Sequence, residues 1–226
     1  MLELEILRQE VTTCTLCPRL VEHRRAMAET KRRAYRDQTY WGRPVPSFGD
    51  FNARLFILGL APAAHGGNRT GRMFTGDRSG DLLYRTLFDT GFASQPSSVS
   101  ANDGLTLTDV YISASAHCAP PDNKPTPQEL RNCSRYLRRE TLLLPNIKVV
   151  VALGKLAFDA YLRVIAEQHD IGPRIRFVFG HGSQHDLGPG LPTLLGCYHP
   201  SQQNTSTGKL TPAMFRAVFE QARHLL

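Results

Sequence analysis

Four short apolar runs, rich in β-branched residues, limit what this chain can fold into: RLFILGL (54–60), DVYISASA (109–116), IKVVVALG (147–154) and PTLLGCYHP (192–200). None alternates apolar and polar residues as a strand with one wet face does. Each therefore reads as a strand buried on both sides, the condition of a parallel sheet. The intervening segments carry helical signals. SGDLLYRTLFDTG has apolar residues at Leu82, Leu83, Leu87 and Phe88, with Gly91 where a helix would stop. TPQELRNCSRYLRRETLL opens with Thr126 as N-cap, Pro127 in the first turn and Glu129 at the third position, which is a capping box. GKLAFDAYLRVIAEQ follows the third strand, and LTPAMFRAVFEQARHLL repeats the Thr-Pro opening. Strands alternating with helices predict an α/β fold: a three-layer α/β/α domain over residues 1–226 with a central, mainly parallel four-stranded sheet. Lys31 to Asn52 reads as a long surface connection and Ala93 to Gly104 as an irregular loop. Ligands of such sheets gather beyond the C-terminal ends of the strands, so the loops after the first and last strands should line one cleft.

Composition narrows the partners. The chain is 41% hydrophobic, enough for a sizeable core at 226 residues, and its net charge of +7 favours polyanions through counterion release. The start, MLELEILRQEV, is acidic and amphipathic rather than signal-like, and the longest apolar run, VVVAL, is far short of the ~20 residues of a membrane span. The expected setting is cytoplasmic, with no membrane partner, and the polar surface calls for nothing beyond a monomer.

Five cysteines, an odd number, argue against a secreted disulfide framework. Cys14 and Cys17 form CTLC, Cys118 ends the second strand, and Cys133 lies on the capped helix. A Cys-x-x-Cys corner can place two thiolates on one centre, and a strand–helix junction brings Cys118 and Cys133 together. Spacing leaves zinc, a [4Fe–4S] cluster, a redox dithiol and unliganded thiols as open readings, and Cys197 reads as a core thiol.

The loop after the first strand, GLAPAAHGGNRTGRMFTGDRSG, is glycine-rich but is neither a Walker A motif nor a G-x-G-x-x-G turn, which disfavours nucleotide triphosphatases and dinucleotide enzymes. It offers His65, Asn68, Arg69, Thr70 and Arg72, then Phe74, then Asp77. An aromatic face, a glycine-lined wall such as Gly66 provides and a carboxylate suit a flat heterocycle on a sugar–phosphate chain, although Phe74 reads equally well as core. YHPSQQN sets His199 and Ser201 just past the last strand, where the histidine is either structural or a donor to charge developing on a leaving group. Asn123, in the proline-braced APPDNKPTPQE, is either a turn residue or a reader of a pyrimidine edge. The other histidines show no metal-ligand spacing.

Taken together, GLAPAAHGGNRTGRMFTGD, CAPPDNKPTPQE and YHPSQQNTSTGKLT resemble the iron–sulfur branch of the uracil-DNA glycosylase superfamily, and within it the family-5, or type b, enzymes. The likeness runs from Cys14 to the final helix. It implies a [4Fe–4S] cluster on Cys14, Cys17, Cys118 and Cys133, damaged DNA as partner, a nucleoid-associated setting, and release of uracil and other deaminated bases such as hypoxanthine. Related families place an acidic or amide residue in the first motif, where this chain has Leu60 and Ala61, and the type b pattern suggests Asp77 as the substitute. On this likeness Asp77 and His199 are catalytic, Phe74 stacks on the base, and Asn123 reads its polar edge. Ala61 and Ala63 leave room in the pocket, while Ser201 and Gln202, with Gln203, lie where the duplex is entered. The rival reading is a non-catalytic iron–sulfur protein that binds DNA damage without releasing base.

Overall fold

The computed structural model describes residues 2–226. Its parallel core forms from the four apolar runs: β2 (Leu55–Gly59), β3 (Val110–Ala114), β4 (Val149–Leu153) and β6 (Thr193–Cys197). Two short antiparallel strands, β1 (Phe48–Gly49) and β5 (Gln184–His185), extend the edges, so the sheet has six strands in the order β1-β3-β2-β4-β6-β5 rather than the expected four. Both additions are two residues long, too short to impose a period on the sequence.

The register aligns Ile57 with Ile112 on one side and with Val151 on the other, and Val151 with Leu195. These side chains face α4 (Arg78–Asp89) and α8 (Pro212–His224), whose Leu83, Tyr84, Leu87, Phe215 and Phe219 complete one apolar layer. The alternate residues Phe56, Leu58, Tyr111, Val150 and Leu194 face the other way, onto α6 (Lys155–Ala166) and α5 (Pro127–Leu143). Three layers follow, as the run pattern requires. Phe88, read from sequence as part of the apolar face of α4, is 42% exposed. The stripe on that helix keeps Leu83 and Leu87 and adds Tyr84 in place of Phe88, and Gly91 ends it with a positive φ of 76°.

Helices α1 (Leu2–Thr13) and α2 (Pro18–Thr30) precede the sheet, α3 (Gly67–Thr70) is a single turn within the glycine-rich loop, and α1 packs on α5. The segment 31–52 is a surface connection only in its first half. Pro44, Val45 and Ser47 are buried, and β1 pairs with β3. Among the described residues no helix is long and apolar enough to cross a membrane.

Chain direction places the functional end. From β2 the chain passes to α4 on one face, and from the neighbouring β4 to α6 on the opposite face. The two connections part above these strands, so the C-terminal ends of β2 and β4 form the switch point at which open α/β sheets bind ligands.

Under the sheet, Glu140 of α5 is 1% exposed and accepts from Ser113 Oγ at 2.6 Å and from Ser47 Oγ. Burial, only partly offset by these two hydroxyls, pushes its carboxyl from 4.5 up to about 7. A raised carboxyl favours the folded state in its neutral form. That contribution is complete below pH ~4.5 and is lost as pH rises toward ~7, amounting to roughly 3 kcal/mol. Glu140→Gln reproduces the neutral donor–acceptor pair. Urea unfolding should therefore show the wild type losing roughly 3 kcal/mol relative to the variant between those two pH limits, whereas parallel stability curves would refute a neutral Glu140.

Candidate active site

The site at the switch point is built from glycines at strand ends and the side chains that occupy the space they leave. At Gly59, the last residue of β2, an added Cβ would lie 2.7 Å from the Phe74 ring, so only glycine lets the ring rest on the strand end. A methyl group at Gly66 would overlap the Asp77 carboxylate, so the glycine-rich loop closes on that side chain directly. Phe74 itself has a left-handed φ of 52°, which costs a non-glycine residue about 1–3 kcal/mol and persists only where surrounding contacts enforce it. Those contacts are present. Tyr84 Oη donates to the Met73 carbonyl at 2.8 Å, and Thr75 Oγ1 and Ser98 Oγ share a hydrogen bond of 2.7 Å. The buried Arg72 reaches Thr75, Ser98 and Asp103.

Asp77 has a role that the sequence reading missed: it is the N-cap of α4, its Oδ1 accepting from the Gly80 N–H at 3.0 Å. Its other oxygen is turned to Gly66. Burial raises its carboxyl above the usual range, against the pull of the Gly80 and Ser79 N–H groups and of Arg69.

His199 follows β6 and faces Phe74, with ring centroids 6.2 Å apart and planes at 33°. Burial pushes its imidazole down to about 4, so at neutral pH the ring is uncharged. Its nitrogens make no hydrogen bond among the described residues, while its backbone is firmly held. Asn204 Nδ2 donates to the His199 carbonyl at 2.8 Å, and the Tyr198 N–H donates to His181 Nδ1 at 3.2 Å. His181 Nε2 lies 3.2 Å from the Met214 carbonyl, which fixes Nδ1 as acceptor and Nε2 as donor. Asn204 and His181 were not singled out from sequence. The position of Asn204, three residues after the N-cap Ser201 of α7 (Gln202–Ser206), was the available signal.

The remaining expected residues are placed as follows. Ala61 and Ala63 are half-buried in the loop, Gly66 is buried, and Gln202 is exposed at the start of α7. Asn123 is exposed, with a φ of 57°, in the single turn Pro121–Asn123. The structure brings Phe74 to His199 and Asp77 to Gly66, while neither Asn123 nor Gln202 hydrogen-bonds to these four.

Cys14, Cys17, Cys118 and Cys133 line one cavity with His117 and Tyr136. Two donors address the sulfurs: the His117 N–H reaches Cys133 Sγ and Asn132 Nδ2 reaches Cys17 Sγ, each at 3.4 Å. Burial pushes the Cys118 thiol up to about 11 against the nearby Arg24 guanidinium, and raises Cys133 as well. Arg24 is itself buried, and its Nε has no protein partner among the described residues. No three His, Cys, Asp or Glu side chains among the described residues close around the position of a single ion. Cys197 is a core thiol on the α8 side of the sheet.

The sequence model of the family described as "Uracil DNA glycosylase superfamily" matches residues 46–223. The type-5 uracil-DNA glycosylase of Mycobacterium bovis is 52% identical over 216 residues, covering 95% of this chain and 79% of the relative. The type-5 enzyme of Thermus thermophilus is 49% identical over 217 residues, 96% of this chain and 95% of that one. A type-5 uracil-DNA glycosylase from Pyrobaculum aerophilum is 44% identical over 212 residues, 94% and 88% respectively. At the switch point, an aromatic ring held in strain against a neutral histidine and a carboxylate pressed onto a glycine wall thus occur in a chain that belongs to the uracil-DNA glycosylase superfamily, in its type-5 branch.

Proposed function

We propose that the protein is a monofunctional DNA glycosylase that extrudes uracil and other deaminated bases, hypoxanthine among them, and hydrolyses the N-glycosidic bond to leave an abasic site. The observation that carries this reading is the Phe74–His199 ring pair at 6.2 Å, set at the switch point beside the glycine-rich loop that holds the buried Asp77. The names of the relatives support uracil as the base.

Extrusion costs a few kcal/mol, least for a mispaired base. In the cleft the Phe74 face stacks on the ring, Asn123 reads its polar edge, and the small Ala61 and Ala63 admit more than one heterocycle. As the glycosidic bond lengthens, negative charge grows on the base and positive charge on the sugar. His199, neutral because burial disfavours its cation, donates a hydrogen bond to the departing base. Asp77, when ionised, stabilises the sugar cation or orients the attacking water. No lysine or cysteine nucleophile is used, so the strand stays intact until treated with alkali.

The four cysteines fit a [4Fe–4S] cluster. They share one cavity without converging on a point, where zinc with Zn–S bonds of about 2.3 Å would draw them together. Buried Arg24 and the two donors to sulfur suit an anionic thiolate set. When bound, the cluster supplies cross-linking of the N-terminal helices to the sheet. The cysteines would hold it as thiolates, so Cys118 and Cys133, whose protons burial favours, would have to give them up. Cys133→Ser should give protein with little bound iron and no brown absorbance, and a variant that retains full iron and colour would refute Cys133 as a ligand.

Release of base from a duplex with one deoxyuridine, followed by alkali, tests the activity. Asp77→Asn keeps the N-cap of α4, since Asn caps as well as Asp, yet removes the charge. Its single-turnover rate should fall ~10²-fold or more, and His199→Ala should cost a similar factor. Because burial raises the Asp77 carboxyl, the wild-type rate should climb as pH rises through a value above the usual carboxylate range, and Asp77→Asn should lose that limb. Duplex binding by the wild type without alkali-sensitive sites would instead establish the damage-binding reading.

A further inference from the structure

One charged surface is not accounted for by the cleft. Between residues 24 and 43 the chain carries seven Lys and Arg residues against two carboxylates, Glu29 and Asp37. Arg25, Arg32, Arg33, Arg36 and Arg43 are exposed, and none of these five meets a carboxylate among the described residues. Unpaired arginine at this density is costly in self-repulsion unless an anion lies against it.

The segment is seated on the outer wall of the cleft. The Arg69 guanidinium stacks 4.0 Å from the Tyr35 ring, donates to Gln38 Oε1 at 2.6 Å, and with its other end donates to the carbonyl of Gly76, the residue before Asp77. Tyr40 Oη bonds His65 Nδ1 at 3.0 Å and accepts from the Arg32 N–H at 3.3 Å. The Trp41 and Gly42 N–H groups donate to the carbonyls of Arg69 and Asn68, at 2.9 and 3.0 Å. The backbone that carries the arginines is therefore fixed to the glycine-rich loop, and its charged heads need no ordering of the main chain before they meet a ligand.

We propose that the segment Lys31–Arg43 is a preformed clamp for the phosphodiester backbone of duplex DNA, holding the strand on the glycine-loop side of the cleft. This rests on the glycosylase reading for its substrate, and it adds where one flank of the duplex lies. Arg32, Arg33 and Arg36 contact phosphates without reading sequence, as backbone-positioning contacts do. Each phosphate neutralised releases condensed counterions, so the clamp sets affinity and its salt dependence rather than the choice of base.

The test removes the charges and follows duplex binding by fluorescence anisotropy across a salt series, with uracil-free and uracil-containing duplexes. The triple variant Arg32→Gln, Arg33→Gln, Arg36→Gln should bind both at least ~10-fold more weakly near 0.1 M salt, and its slope of log K against log salt should flatten by ~2–3. The triple Arg→Lys variant, which keeps the charges, should retain the wild-type slope. Arg174→Gln with Arg176→Gln serves as control, because these exposed residues lie in the connection between α6 and β5, which makes no hydrogen bond to the 31–43 segment or the glycine-rich loop among the described residues, and removing them should leave the slope within ~0.5 of wild type. A triple Gln variant with wild-type affinity and slope that still releases uracil would overturn the clamp and spare the glycosylase. Clamp-dependent binding with no base release by the wild type would do the reverse. Equal flattening by the control pair would show a net-charge effect and also overturn the clamp.

Discussion

The cleft depends on one buried guanidinium. Arg72 is 4% exposed, and its Nη2 lies 2.7 Å from both Asp103 Oδ2 and Ser98 Oγ, while its Nε bonds Thr75. Burial alone would raise the Asp103 carboxyl, but Arg72 and the N–H groups of Leu105, Val99 and Ser100 overcome it and pull the group down to about 2. A buried pair of this kind adds little net stability over a well-packed apolar substitute, yet loss of one partner leaves an unpaired charge at a cost of about 3–5 kcal/mol. What it secures is geometry. The loop at 98–103 is strapped across the glycine-rich loop, Gly76 N–H is tied to the Ser98 carbonyl at 3.0 Å, and Phe74 is held left-handed above Gly59. The same turn delivers Asp77 to the start of α4.

Burial then acts on the two titratable groups of the cleft in opposite senses with one result. It raises Asp77 and lowers His199, so both are driven toward their neutral forms. A neutral imidazole is the better partner for a leaving base: it donates a hydrogen bond as charge develops without having to be desolvated as a cation first. A carboxylate made costly by burial gains most from a positive partner, and the sugar becomes positive only as the glycosidic bond breaks. In the roles proposed for them, both groups would interact more strongly with the transition state than with the bound substrate, which is the condition for catalysis rather than mere binding.

The parallel core was legible because burial on both faces leaves β-branched runs, and the capping box and Thr-Pro openings marked α5 and α8 to within a residue. The edge strands were not legible, since two residues carry no period. Nor was the inward path of residues 44–47, where proline neighbours suggested surface. At the cleft, the motif residues stood out by type, whereas their supports did not. His181 and Arg69 act through backbone carbonyls and N–H groups, and nothing in their local sequence announces a partner that the fold supplies from 7 to 33 residues away. Asp77 shows the converse: its chemistry was conspicuous and its local duty, capping α4, was overlooked although Asp before a helix is a standard start signal.

Arg24 connects the thiol cavity to the glycine-rich loop. Its guanidinium acts on Cys118 and donates to the Gly42 carbonyl, while its own carbonyl accepts from Asn68 Nδ2 at 3.1 Å. Gly42 in turn donates to the Asn68 carbonyl at 3.0 Å, closing a ring of contacts among α2, the 40–43 segment and the glycine-rich loop. Asn68 is fully buried and stands two residues after Gly66. With the proposed cluster on the four cysteines, thiolates beside Arg24 would brace the wall against which Asp77 rests. The scaffold beneath the loop is then rigid from both sides, by the Arg72 pair at one end and by Arg24 at the other, and the strain stored at Phe74 has no cheap way to relax.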